Sequence, residues 1–230
     1  INSDGKEDLI LAGDWMPITV LIQEDDLKFT NKTEKYGLSK TNGLWNVVDI
    51  KDFNKDGRID IIAGNAGTNF KWKPSFKKPV KLYLDDFDDN LQPDPIIFYD
   101  FFGKYVPFPS KDKLDKQLPY LKKKFTNYNN FSNISDIKSL TGKAENDIME
   151  IKYIYDLESS IFINEEGGFK KYALPPSAQL SSIEDFKFLK NTNDVIYVGN
   201  FTKYVTELGF SSANPGGLLK DLDIVNMNFN

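Results

Sequence analysis

Asp52, Asn54, Asp56 and Asp60 stand at positions 1, 3, 5 and 9 of a short segment whose sixth residue is Gly57 and whose seventh is Arg58. Oxygen side chains at that spacing, with the Arg58 carbonyl among them and a glycine at the sharp turn, make the donor set of a Ca²⁺ cage. The segment is not an EF-hand, because its twelfth position is Ala63, where that motif has a bidentate Glu. The apolar run Ile61, Ile62, Ala63 follows at once and reads as a strand rather than a helix.

The pattern recurs. Asn2, Asp4, Lys6 and Asp8 supply positions 3, 5, 7 and 9 of the same loop, with the first ligand expected before Ile1. Asp86, Asp88, Asn90, Gln92 and Asp94 supply positions 1, 3, 5, 7 and 9 of another, with Leu91 where the others have glycine. A residue without Cβ takes a positive φ at little cost, so Leu91 puts the turn of this copy in question. A worn copy at 185–194 has gained a residue and carries Lys187 at position 3, where an ammonium replaces the charge of a metal; it is read as metal-free. Each copy is followed by a strand, and three of those strands end in Gly13-Asp14, Gly64-Asn65 and Gly199-Asn200.

Composition narrows the chemistry. With 230 residues and 40% hydrophobic content the chain can bury a sizeable core. It has no cysteine and no histidine, which removes disulfides, thiolate catalysis, Ser-His-Asp triads and His-metal centres. No apolar run approaches the length of a transmembrane helix. A net charge of −5 speaks against nucleic acid, whose phosphates need a basic face. Calcium is plentiful outside cells, and extracellular modules often bind it weakly. The expected location is therefore extracellular or at a cell surface.

The elements that must position the loops read as short strands broken by Gly, Asn, Asp and Pro, the pattern of an all-β array. Strands are expected over 17–23 and 28–30 around a turn at 24–26, over 43–50 and 80–85 leading into loops, and over 160–164 and 169–172 as a hairpin. That hairpin matches the one at 20–29, so the unit reads as strand, calcium loop, strand and hairpin. Units that cannot bury both faces alone pack against neighbours, as propeller blades do. Residues 110–146 break the rule as a helical insertion within a blade: Ser110 caps a helix over 111–118, Pro119 opens a second through Phe125, and 132–140 is a third before Gly142. The hairpin at 160–172 is expected to complete the blade begun at 95–100.

The loops and the strand-end Gly-Asn/Asp pairs resemble the FG-GAP/VCBS repeat family, the calcium-loop blades of integrin-α-like β-propellers. Passages at 12–17, 63–68, 105–110, 199–201 and 207–209 are similar to bacterial secreted proteins related to the cartilage acidic protein group. The resemblance implies a seven-bladed propeller, of which residues 1–230 supply three to four blades and missing sequence the rest.

On this reading the chain is a calcium-stabilised extracellular propeller that binds a glycan or a surface protein, with no catalytic residue assigned. The alternative is a calcium-dependent polysaccharide lyase or hydrolase, which without His or Cys needs paired carboxylates, a tyrosine or a lysine. Phe70, Trp72 and Phe76, interleaved with lysines, are the candidates for ligand contact. The opposing expectation is that Trp72 and Phe76 pack in the interior while the lysines stay in water.

Overall fold

The computed structural model describes residues 1–220; positions 221–230 of the expected domain lie outside the described residues. The chain forms two compact units, Ile1–Lys73 with the segment from Asp156 onward, and Pro74–Tyr155.

The first unit begins with an antiparallel sheet of β1 (Leu9–Leu11), β2 (Thr19–Gln23) and β3 (Phe29–Asn31) in that order. β4 (Val47–Lys51) and β5 (Asp60–Gly64) then flank the 52–60 loop as an antiparallel pair, Lys51 opposite Asp60. All five residues of β5 are buried, which explains why its sequence is an unbroken apolar run rather than an alternation. Ile61 and Ala63 join a core with Val20, Ile22 and Trp45, on the side of the first sheet. Ile62 joins a second core on the opposite face.

The chain then builds the second unit. β6 (Val80–Asp85) and β7 (Asp94–Phe101) flank the 86–94 loop, and β8 (Lys104–Pro107) turns back on β7. Four short helices follow: α1 (Lys111–Gln117), α2 (Leu121–Lys124), α3 (Tyr128–Phe131) and α4 (Ile137–Thr141). Ser110 caps α1 by accepting from the Lys113 amide, and Asp136 and Ser139 form a capping box on α4, which Gly142 ends at a φ of 94°. The expected third helix thus starts at 137, not 132, because Asp136 is the better N-cap; α3, capped by Asn127, was not anticipated. β9 (Glu150–Ile154) completes a sheet of order β8-β7-β6-β9. The helices cover one face of it, with Leu114, Leu118, Leu121, Ile137 and Leu140 packed on Tyr83, Ile96 and Phe98.

β10 (Ser160–Glu165) and β11 (Gly168–Ala173) return to the first unit, where β10 pairs with β5, Phe162 opposite Ile61. The hairpin at 160–172 therefore completes the sheet of the 52–60 loop and not the strand at 95–100, which finds its own partner in β8. The reason is local: the turn Phe102-Gly103, at positive φ, folds β8 directly onto β7. The result is a sheet of order β11-β10-β5-β4. Its register repeats that of the first sheet, since Gln23 faces Phe29 as Asn164 faces Phe169. A third sheet, β12 (Ile183–Phe188), β13 (Val195–Gly199) and β14 (Gly217–Leu219), supplies Ile183, Phe186, Val195 and Tyr197 to the second core.

The sheet around β5 thus lies between two others, and its edge approaches the third closely. A Cβ on Gly64 would lie 2.7 Å from the Ile183 carbonyl of the third sheet, whereas one on Gly199 would overlap the Ser182 carbonyl of its own sheet. Each glycine is therefore required by a close backbone carbonyl, supplied by the neighbouring sheet before Asn65 and by the same sheet before Asn200. The architecture is all-β, with four antiparallel sheets and few helices, and none of the sheets closes on itself among the described residues.

Candidate metal centre

The three acidic loops share one backbone. Their fourth residues, Ser3, Lys55 and Asp89, have φ of 60°, 60° and 59°, and their sixth, Gly5, Gly57 and Leu91, have φ of 82°, 85° and 68°. Leu91 takes the left-handed turn despite its Cβ, at a cost of about 1–2 kcal/mol, with its side chain 93% exposed. The hydrogen bonds repeat too. The ninth-position acid accepts from the N–H of position 2: Ile1 to Asp8, Phe53 to Asp60 and Phe87 to Asp94. The fifth-position side chain accepts from the amide of position 7: Lys6 to Asp4, Arg58 to Asp56 and Gln92 to Asn90.

In two loops the ninth-position acid also reaches the next strand. Asp8 Oδ1 accepts from Gln23 and Asp60 Oδ1 from Asn164, in equivalent places of their sheets. Burial raises the Asp60 carboxyl above the usual carboxylate range, the two amides oppose the rise, and the charges of Asp56 and Asp52 add to it.

The side chains converge best at 86–94. Carboxylate oxygens of Asp86, Asp88 and Asp94 lie within 4.8 Å of one another. Asp88 Oδ1 is buried with no hydrogen-bond partner, an acceptor that a cation would satisfy. Burial pushes the Asp94 carboxyl up, and the charges of Asp88 and Asp86 push it further. Three close carboxylates, one with an orphaned oxygen, fit a hard divalent cation.

At 52–60, the loop with the fullest set of ligand types, no such convergence of carboxylates forms among the described residues. Asp52 accepts from the Asp56 and Gly57 amides, while Asp56 Oδ2 takes Arg58 Nη2 at 2.5 Å and Asn54 Nδ2 at 2.9 Å. The guanidinium thus provides positive charge inside the loop. At 2–8, the Lys6 ammonium turns away to Asp25 at 2.8 Å, and Asp4 accepts from Asn2 Nδ2. The worn copy is a different object: Asp185 and Lys187 lie in β12, paired with β13, and only 189–194 turns.

Gln117 and Tyr120, on the α1–α2 corner, approach the third loop and were absent from the sequence reading. Gln117 donates to the Pro95 carbonyl at 3.2 Å, and its side chain works against the rise of the Asp94 carboxyl. The Tyr120 hydroxyl is buried without a partner, and burial followed by the charges of Asp94, Asp88 and Asp89 pushes it up to about 12. No spacing rule joins these residues to a loop about 25 positions upstream; only the packing of Leu118 and Leu121 does.

Phe70 and Trp72 are buried beside Trp15 and Tyr204, with Phe70 and Trp72 ring centroids 5.5 Å apart. These ring contacts give Phe70 and Trp72 a packing role, as the opposing expectation had it for Trp72. Phe76 is 60% exposed, its ring 5.6 Å from that of Tyr155. The charges of Asp14 and Glu184 bear on Tyr204. Burial raises each of the three; the Asp14 charge adds to the rise at Glu184 and Tyr204, and that of Glu184 to the rise at Tyr204.

Residues 1–63 match the family described as the FG-GAP-like repeat, a span that contains the first two loops and ends in β5. No curated protein and no solved structure matches the chain. No helix among the described residues is long and apolar enough to cross a membrane.

Proposed function

We propose that the chain is a calcium-stabilised, extracellular interaction module in which the three sheets of the first unit are successive blades of a propeller. The observation that carries this reading is the repetition of one clasped loop. In 2–8 and 52–60 the same two left-handed residues precede an acid that ties its own loop to the following strand. A cation supplied to such a loop neutralises its acidic oxygens and stiffens the connection between strands. In 86–94 the holders are Asp86, Asp88 and Asp94, with Asn90 and the Gln92 carbonyl. In 52–60 they are Asp52, Asn54, Asp56, Asp60 and the Arg58 carbonyl, and in 2–8 Asn2, Asp4, Asp8 and the Lys6 carbonyl. Stiff loops on a stacked scaffold suit the presentation of a surface to a glycan or a surface protein. The test is calcium-dependent thermal unfolding together with a screen of glycans and surface proteins, with and without chelator. Retention of a ligand without any product supports the reading; no calcium response and no retention overturn it.

The enzyme alternative would give acid–base work to Glu184 and Tyr204, both raised by burial and then by the charge of Asp14. A polysaccharide substrate would be cleaved by the wild type and not by Glu184→Gln. A wide panel of anionic and neutral polysaccharides left uncleaved by the wild type removes this alternative.

A further inference from the structure

We infer that the α1–α2 corner is a latch on the 86–94 metal site, with Tyr120 as the residue that closes it over the bound cation. The inference rests on the reading of 86–94 as a calcium loop and adds a coupling that the other loops do not have.

The argument begins with two orphaned atoms. Asp88 Oδ1 and the Tyr120 hydroxyl are both shielded from solvent, and neither has a hydrogen-bond partner. A buried polar atom left unpaired is costly, so two of them beside one loop call for a common cause. Asp88 is part of the converging carboxylates, and the charges that bear on Tyr120 are those of Asp94, Asp88 and Asp89, all in this loop. A cation held by Asp86, Asp88 and Asp94 satisfies the carboxylate directly. The phenolic oxygen is then satisfied by the ion or by one water on it. Tyr120 is not free to look elsewhere. Leu118 and Leu121, on either side of it, are 0% and 1% exposed in the core against Ile96 and Phe98, so the corner is anchored.

Gln117 strengthens the connection from the same corner. Its Nε2 donates to the carbonyl of Pro95, the residue directly after Asp94, and its side chain favours the Asp94 carboxylate. In the other two loops the equivalent acid is held by the amide of a strand, Gln23 or Asn164. Here the end of a helix is tied to the residue that follows the acid. The helical segment is therefore tied to the state of the loop, where elsewhere the tie is a fixed strand pairing.

The experiment is hydrogen exchange of the full chain, read by peptide, across a calcium titration. Calcium is expected to slow exchange in 86–94 and, at the same midpoint, in 111–125. In Tyr120→Phe the helical protection is lost or the midpoint moves to about 10–100-fold higher calcium, the size expected when an outer partner of a metal site is removed. In Asp88→Asn both segments stop responding. If the wild-type loop responds and the helices do not, or if Tyr120→Phe behaves as wild type, the latch is overturned while the metal site stands. If neither segment responds in the wild type, the metal site fails and the latch with it. The wild-type titration decides the matter even where Tyr120→Phe does not fold.

Discussion

Asp60 and Asn164 lie 104 positions apart, and the Asp60 Oδ1 accepts the Asn164 amide at 2.8 Å. Its Oδ2 accepts the Phe53 amide at the same distance. One buried carboxylate therefore fastens the end of its own loop to the strand that arrives after the inserted unit. The arrangement is compact: the Asn164 carbonyl in turn accepts from Arg58 Nε at 2.7 Å.

Asp60→Ala is expected to remove both bonds and leave two buried donors, lowering stability by about 3 kcal/mol in chelator. Asp60→Asn keeps one acceptor oxygen and should lose roughly half as much. Urea unfolding of the two variants beside wild type measures the difference. Equal midpoints would show that the clasp carries no energy.

Calcium at about a hundred times its Kd is expected to stabilise the chain by roughly 2.7 kcal/mol per site. Asp88→Ala should remove the part of the thermal shift that belongs to 86–94. Asp56→Ala should reduce the part that belongs to 52–60, and it also frees Arg58 from its partner. A shift untouched by either substitution would place the bound ion outside these loops.

Leu91→Gly is expected to raise stability by about 1 kcal/mol, because it relieves a left-handed residue whose side chain is in solvent. The opposite change, Gly57→Leu, should lower it by a similar amount at the matching position. Thermal melts of both in chelator separate backbone strain from metal affinity.

Trp72→Ala should destabilise the chain by about 3–5 kcal/mol, since the ring is buried against Phe70 and Trp15. Phe76→Ala should leave the melting temperature within a degree or two while lowering affinity for any ligand that uses this surface. The pair of variants, compared by calorimetry and by binding, distinguishes packing from recognition.

Repeats were what the sequence displayed most openly. Asp8, Asp60 and Asp94 announced their loops because an acid followed by an apolar run is a local pattern, and β6 lies at the expected residues. Sheet composition was hidden for a topological reason. Nothing near Ile61 says that its partner is Phe162, and the nearer candidate at 95–100 was satisfied by a turn at Phe102-Gly103. Ligand type was also a poor guide to convergence. The richer loop at 52–60 turns Asp56 toward Arg58, whereas 86–94, with a leucine at its turn, gathers three carboxylates under a helical corner. Side-chain direction of this kind is decided by neighbours that spacing does not reveal.

The insertion of a whole unit between β5 and β10 imposes an order on biosynthesis. A chain emerging from its N-terminus offers the β4–β5 hairpin long before β10 exists, so one edge of β5 waits with its N–H and C=O groups bare. An unfolded Pro74–Tyr155 segment would be a long loop to close, with an entropy penalty that grows as the logarithm of its length; a folded one reduces the problem to joining its two ends. Timely collapse of the inserted unit is therefore a kinetic condition for sealing the middle sheet. During the interval before it, the waiting edge is the part of the nascent chain most exposed to pairing with another copy.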